Sequence, residues 1–331
     1  MARYLGDQNK VIGIHESGTY ATVMAGSSFW MGQVQSHTID ENENKNEVRY
    51  FGTGSRTFAD FELGQRDVTG TIKANAQDIR LLAYAIGSVT VGSAAAAYTN
   101  TITSIGTDVR QSAFVSGAFN PAFSFGIEDS KLAVGTGRNF NRTIKGCIVN
   151  TATLTVANGE KATIDADYIG QTAYYTSGAS TAVTRDSRPA YLYSDATLTM
   201  FGSVIQTLKE VTIEVSNNLV GPHYLNGSRD ISVPFLGTQD VTMTVSMDME
   251  SETIKPLYDQ YYKAGSTFNA TLDLNKTSAT GSMHAIIILS GCYITSCPIP
   301  SELEGTTESS IEIRPQYISA VEYTDHSFNP W

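Results

Sequence analysis

A chain of 331 residues, 41% of them hydrophobic and 10% aromatic, holds enough apolar material for one large or two ordinary domains and too much for a disordered polymer. Its net charge of −11 and pI of about 4.9 argue against a protein that grips nucleic acid through Lys and Arg contacts to phosphate. High Gly (28), low Pro (9) and only 17% charged residues are a β-protein composition.

The first residues, Met1–Asp7, contain no apolar signal-peptide core, and the longest apolar run, Ala285–Leu289, is too short to span a membrane. Three sparse cysteines, Cys147, Cys292 and Cys297, fit no disulfide framework and suggest synthesis in a reducing cytoplasm, without membrane insertion. Extended segments are expected at Ser28–Gln35 and Thr38–Ile39. A long polar stretch rich in Asn and Gly, Glu41–Glu62, separates them from an alternating strand, Val68–Ile72. Ile79, Leu82, Ala83 and Ile86 then form one face of a helix over Ala76–Ile86. Strands follow at Ala122–Ile127, Thr143–Val149 and Ala162–Ile169, and the aperiodic Gln171–Ser194 reads as a connector. The second half gives strands at Leu198–Ile205 and Val211–Val215, a polar stretch Ser216–Phe235, and an alternating strand Val241–Val245. A helix over Ser251–Tyr262 is expected next, capped by Ser251 and striped by Ile254, Leu257, Tyr258 and Tyr261. Strands Phe268–Leu272, Ala285–Ile294 and Ser309–Ile313 complete it.

The halves therefore read alike, and residue matches support a duplication. Gly54-Ser55-Arg56 recurs as Gly227-Ser228-Arg229, Leu63-Gly64 as Leu236-Gly237, and Asp67-Val68-Thr69 as Asp240-Val241-Thr242, all at one spacing. Thr38-Ile39-Asp40 answers Thr212-Ile213-Glu214, and Met31 falls opposite Met200. Downstream, Gly146-Cys147-Ile148-Val149 answers Gly291-Cys292-Tyr293-Ile294, Ile164-Asp165 answers Ile311-Glu312, and Tyr168-Ile169 answers Tyr317-Ile318. The changed spacing implies an insertion in the first half at about residues 87–120.

Catalytic chemistry finds little support. His15, His37, His223, His284 and His326 show no metal-ligand spacing and read as surface or turn residues. Cys147 and Cys292 read as small buried apolar fillers. Gly52-Thr53-Gly54 and Gly135-Thr136-Gly137 lack the remaining residues of a phosphate loop. Asp165 and Asp167 share a strand face with no further ligand pattern, which suits a solvated surface. No enzyme and no cofactor are expected.

The order of elements resembles the tail-tube proteins of long-tailed, siphovirus-like viruses of bacteria or archaea. The resemblance rests on a strand, a long polar loop and an Asp-Val-Thr-x-Thr strand before a single helix. It rests also on the Gly-Cys-Ile-Val strand followed by a strand ending in Tyr-Ile. It implies a mainly β chain of two tandem β-sandwich or half-barrel tube domains, each with one flanking helix lying outside the barrel. The expected boundaries are an unpaired N-terminal arm 1–26, tube domain 27–170, linker 171–194, tube domain 195–319 and an unpaired C-terminal arm 320–331. Family members form rings of six domains that stack, so three two-domain chains would supply one pseudo-hexameric ring. The implied partners are copies of itself and other tail proteins (terminator, tape measure, distal tail), with double-stranded DNA passing through the lumen unbound. The long loops become ring-stacking candidates, through Asp40, Glu41, Glu43, Glu47, Arg49, Tyr50 and Arg56, and through Asn217, Asn218, Tyr224 and Arg229. Phe328 and Trp331 are candidate arm anchors. Two alternatives stay open: a tube or ring component of a related injection device or a distal-tail or neck protein, and a glycan-binding β-sandwich surface protein using Tyr174, Tyr175, Tyr191 and Tyr193.

Overall fold

Two long strands organise the chain, each bent at a glycine so that its two ends belong to different sheets. The computed structural model describes residues 4–16, 20–48, 60–94, 97–104, 124–133, 139–177, 180–248, 257–278, 281–299 and 308–325. The first half contains β1 (Tyr4–Glu16), β2 (Val23–Trp30), β3 (Gln33–Asn42), β4 (Lys45–Val48), β5 (Asp60–Leu63) and β6 (Asp67–Asn75). Helix α1 (Arg80–Ile86) follows, then β7 (Gly87–Ala94), β8 (Ala97–Ser104), β9 (Phe125–Ala133), β10 (Phe140–Ala157), β11 (Thr163–Gly170) and β12 (Thr172–Thr176). The second half contains β13 (Ala196–Met200), β14 (Ser203–Val204), β15 (Leu208–Ser216) and β16 (Asp240–Asp248). A π-helical turn, Leu257–Lys263, precedes β17 (Phe268–Ser278), β18 (Gly281–Ser296), β19 (Glu308–Arg314) and β20 (Tyr317–Asp325).

The bends sit at Gly146 (φ 66°) in β10 and Gly291 (φ 63°) in β18, a backbone region that strongly favours glycine. Before its bend, β10 pairs with β9 and β12; beyond it, with β11 and β15. Likewise β18 pairs first with β17 and β20, then with β19. Around each bend the same order repeats. Strands β2-β1-β9-β10-β12 correspond to β14-β13-β17-β18-β20, and β3-β6-β11-β10 to β15-β16-β19-β18. Because β10 also pairs with β15, the second set joins into one antiparallel sheet of order β3-β6-β11-β10-β15-β16-β19-β18.

Alternation builds this sheet. Ala152, Leu154, Val156, Val211, Ile213, Val215, Met243, Val245, Ile311 and Ile313 all point inward and are buried. Seven matched pairs between β10 and β15 hold the halves together, from Thr151↔Ser216 to Ala157↔Glu210.

Several expectations from the sequence change here. Residues 4–16, read as part of an unpaired arm, form β1, paired on both sides by β2 and β9. Residues 320–325, read as the other arm, lie in β20 between β18 and β8. The start of the connector is a strand, β12, and the insertion forms the β7–β8 hairpin, which extends the second half's outer sheet through β8–β20 pairing. Helix α1 is shorter than expected and buried on every side, because β20 and the inserted hairpin cover the face that the apolar stripe left for solvent. Its Arg80 guanidinium lies 4.6 Å from the Phe29 ring and donates to the Trp30 carbonyl at 2.8 Å. Of the second expected helix, the Leu257–Lys263 turn is described and Ser251 and Ile254 lie outside the described residues. The repeat spacing also differs: pairing sets Tyr168 against Ile313 and Thr172 against Tyr317, the spacing of Gly146 and Gly291. The sequence matches through Ile311-Glu312 and Tyr317-Ile318 are therefore two and four residues out of register. Even-numbered slips preserve the inward-outward alternation, so the pattern could not reveal them.

The two halves differ in chemistry at matched buried positions. His37, Glu41, Asp129, Arg142 and Tyr168 in the first unit occupy the positions of Val211, Val215, Leu272, Ile287 and Ile313 in the second, all buried aliphatics. His37 was expected on the surface, yet its side chain is 2% exposed and its Nε2 lies 2.8 Å from the Tyr168 hydroxyl. His15 is also in a strand, its ring 4.6 Å from that of Phe29; burial, then the Arg80 charge, lowers its pKa to about 4.

Candidate functional site: two open sheet edges and an acidic face

The long sheet ends in two strands that lack an outer neighbour among the described residues: β3 at one end and the last turn of β18 at the other. Their counterparts at the centre, β15 and the second part of β10, pair with each other. Exposure follows this difference. Ile148 and Leu154 on β10 are 0% exposed, whereas Tyr293, the counterpart of Ile148 on β18, and Ile299, three residues past the end of β18, are 42% and 49% exposed. The same framework thus leaves apolar side chains in water where the next strand is missing.

The outward face of the sheet is polar from β3 to β16. One cross-strand row runs Thr38, Thr71, Asp167, Thr151, Ser216, Asp240; the next runs Ser36, Lys73, Asp165, Thr153, Glu214, Thr242. Lys73 is matched by Asp165 at 3.1 Å, and Arg314 by Glu312 at 3.5 Å. Partial burial, then the Asp165 charge, push the Asp167 carboxyl up. On this hydroxyl-rich face the two cations named are each matched by a carboxylate, which weakens their hold on phosphate.

The long loops fold onto each other. Asn44 (φ 41°) and Asn218 (φ 46°) take left-handed conformations at the two loop bases. Their Nδ2 atoms donate to Asp67 at 3.0 Å and Asp240 at 2.9 Å, respectively. Residues 219–235 then clasp the first half. Arg66 Nε donates to Asp230 at 2.7 Å, Arg229 donates to Gly64 O at 2.7 Å and Glu43 at 2.6 Å, and His223 contacts Asp67 at 2.8 Å.

Of the residues singled out from sequence, Asp40 faces outward on β3 and Glu47 is exposed on β4. Glu41 instead turns into the first unit's polar core, 3.6 Å from Arg142, where it accepts a hydrogen bond from Tyr175. Asn217 is buried and donates to Ala85 O at 2.9 Å and Val149 O at 3.1 Å. Tyr224 is 52% exposed, beside the fully exposed Leu225. Arg49, Tyr50, Arg56, Phe328 and Trp331 lie outside the described residues. The four tyrosines of the glycan reading do not share a face. Tyr191 is fully buried, Tyr174 lies under Lys145, Tyr175 bonds to Glu41, and Tyr193 begins a separate helical turn. Sequence reasoning missed Ile299, Tyr293 and Leu225, whose apolar character carries no motif.

Cys147 and Cys292 are buried; burial holds the first thiol well above its usual range and the second at about 11, which suits inert fillers. No helix among the described residues is long and apolar enough to cross a membrane.

Comparison with known proteins completes the description. A family described as phage tail tube protein matches residues 16–322. No curated protein matches the chain. Among solved structures it is similar to Hcp1 from Flavobacterium johnsoniae, at 16% identity over 38% of this chain and 93% of that one. The TM-score of 0.24 is below the level at which two folds superpose.

Proposed function

Because the chain belongs to the phage tail tube protein family, and so is a structural component of a virion tail, we propose that it is the repeating, non-enzymatic subunit of the tube. The two halves are tandem tube domains, and three chains close a ring of six through their open edges. The carrying observation is the β10–β15 pairing inside the chain. The join between copies repeats it: the end of β18 adds to β3 of the next copy, setting Ile299 against Ile39 as Leu154 is set against Ile213. Open edges need a partner or a cover, and ring closure supplies one to every edge.

On this reading the outward face of the long sheet lines the lumen, where its acids let DNA pass without adhering. The loops on the β4–β5 hairpin and around Tyr224 and Leu225 are the stacking contacts between rings. Terminator, tape measure and distal tail proteins meet the tube at its ends, and subunits are made in the host cytoplasm before assembly.

Negative-stain electron microscopy of concentrated protein tests the reading. Hollow tubes or rings with three-fold symmetry and six-fold-like density are the expected result. Dispersed monomers at all concentrations and salts would overturn it.

A further inference from the structure

The first unit's polar core opens into a cavity of about 1360 Å³. It lies between β1 and the β9–β10 pair on one side and β3 on the other, with residues 183–187 across its mouth. The region at the start of β15 and along β13, in the second unit, encloses only about 210 Å³. The second unit also demonstrates that this framework closes with aliphatics alone, so the charges facing the first cavity are not required by the fold.

The charges do not balance locally. Lys10, Lys131 and Arg185 border the cavity without a carboxylate at ion-pair distance among the described residues; the Lys10 ammonium donates to the Thr181 carbonyl. Both acids on the wall are already matched: Asp129 by His37 and Arg142, and Asp186 by a two-pronged contact from Arg188. One donor on the wall, the Nε of Arg142, is buried without an acceptor. The Tyr168 hydroxyl lies 2.8 Å from Nε2 of His37, whose Nδ1 is 3.6 Å from Asp129. An otherwise acidic chain thus gathers spare positive charge and an unused N–H group around one roomy pocket, flanked by the Trp30 indole with Arg185 5.2 Å from its ring.

We propose that this cavity binds a small phosphorylated molecule, its phosphates held by Lys10, Lys131 and Arg185 and completed by the Arg142 donor. Doubly charged oxyanions match that donor set, and the volume leaves room for the group that bears them. The site stands whether or not the chain forms rings.

Inorganic pyrophosphate is the probe, titrated against the intact chain with ionic strength held constant by chloride. The expected result is a saturable rise in Tm, with Kd weakened at least fivefold in both K131A and R185A and unchanged in K145A, whose cation lies over Tyr174 outside the cavity. Hydrogen exchange of the wild-type chain gives a readout independent of the variants: protection should rise in β1, β3 and β9. No saturable shift beyond that of chloride, equal binding by the variants, or protection confined to other strands would each overturn the site.

Discussion

Leu154 and Ile299 stand at the same spacing from the bends at Gly146 and Gly291, and truncating each to Ala should fail in opposite assays. Leu154 is fully buried against the second half, opposite Ile213, so Leu154→Ala removes core packing within one chain. The expected loss is about 2–5 kcal/mol of folding stability, the usual cost of a buried Leu truncation. Ile299 is 49% exposed, so roughly half of its burial remains to be gained when a second copy arrives. Full burial of such a side chain is worth about 1.5–3 kcal/mol, which leaves about 1 kcal/mol per junction, or about fivefold in affinity. Three junctions per ring compound this to about a hundredfold. Urea unfolding should therefore separate Leu154→Ala from wild type well beyond Ile299→Ala, which gives up only the burial already present in the single chain, about 1 kcal/mol. Light scattering against concentration should show Ile299→Ala assembling only at much higher concentration. Normal assembly of a well-folded Ile299→Ala protein, at wild-type concentrations, would refute the edge-to-edge reasoning.

Gly146→Ala should destabilise by about 2–4 kcal/mol, since a Cβ there meets Tyr20 at 2.7 Å as well as the φ penalty; Gly291→Ala should cost less, because it meets the flexible end of Gln316. Chemical denaturation of both variants checks the order. His15 is held neutral by burial, with its folded pKa lowered to about 4. The stability it contributes is present above the unfolded value of about 6.5 and is lost as pH falls towards 4, by about 3 kcal/mol in all. His15→Phe should flatten that part of the pH–stability curve. Leu225→Ser should leave rings intact and shorten stacks in micrographs; full-length tubes would remove the loop from the stacking contact. The triple variant Asp165→Lys, Asp167→Lys, Glu214→Lys should assemble yet retain DNA at low salt, with retention falling as salt rises. Indifference to DNA would place the lumen on another face.

Much of this fold was legible in sequence because strands of one repeated framework keep the residues that geometry demands. Gly146 and Gly291 carry the bends, Cys147 and Cys292 the tight positions beside them, and Asp67 and Asp240 the loop-base bonds to Asn44 and Asn218. What alternation cannot encode is which strand lies beside which. β1 and β20 looked like unpaired arms because their partners, β9 and β8, are far away or inserted. The polar core was hidden for the same reason: His37, Asp129 and Arg142 come from three strands and meet only when the sheets stack. Among the loop candidates, Asn217 and Glu41 read as exposed polar residues, and only the fold turns them inward.

The inserted β7–β8 hairpin gives the chain a built-in counting mark. It grows from the first half and is laid against β20 of the second, so one outer sheet per chain is widened while the other ends at the short β12. In a ring of three chains, six nearly equal wedges would then alternate between flanged and bare. Any component gripping the tube from outside would read a period of three, while one threading the lumen would meet a wall closer to six. One subunit could in this way serve neighbours of different rotational order without a separate adaptor.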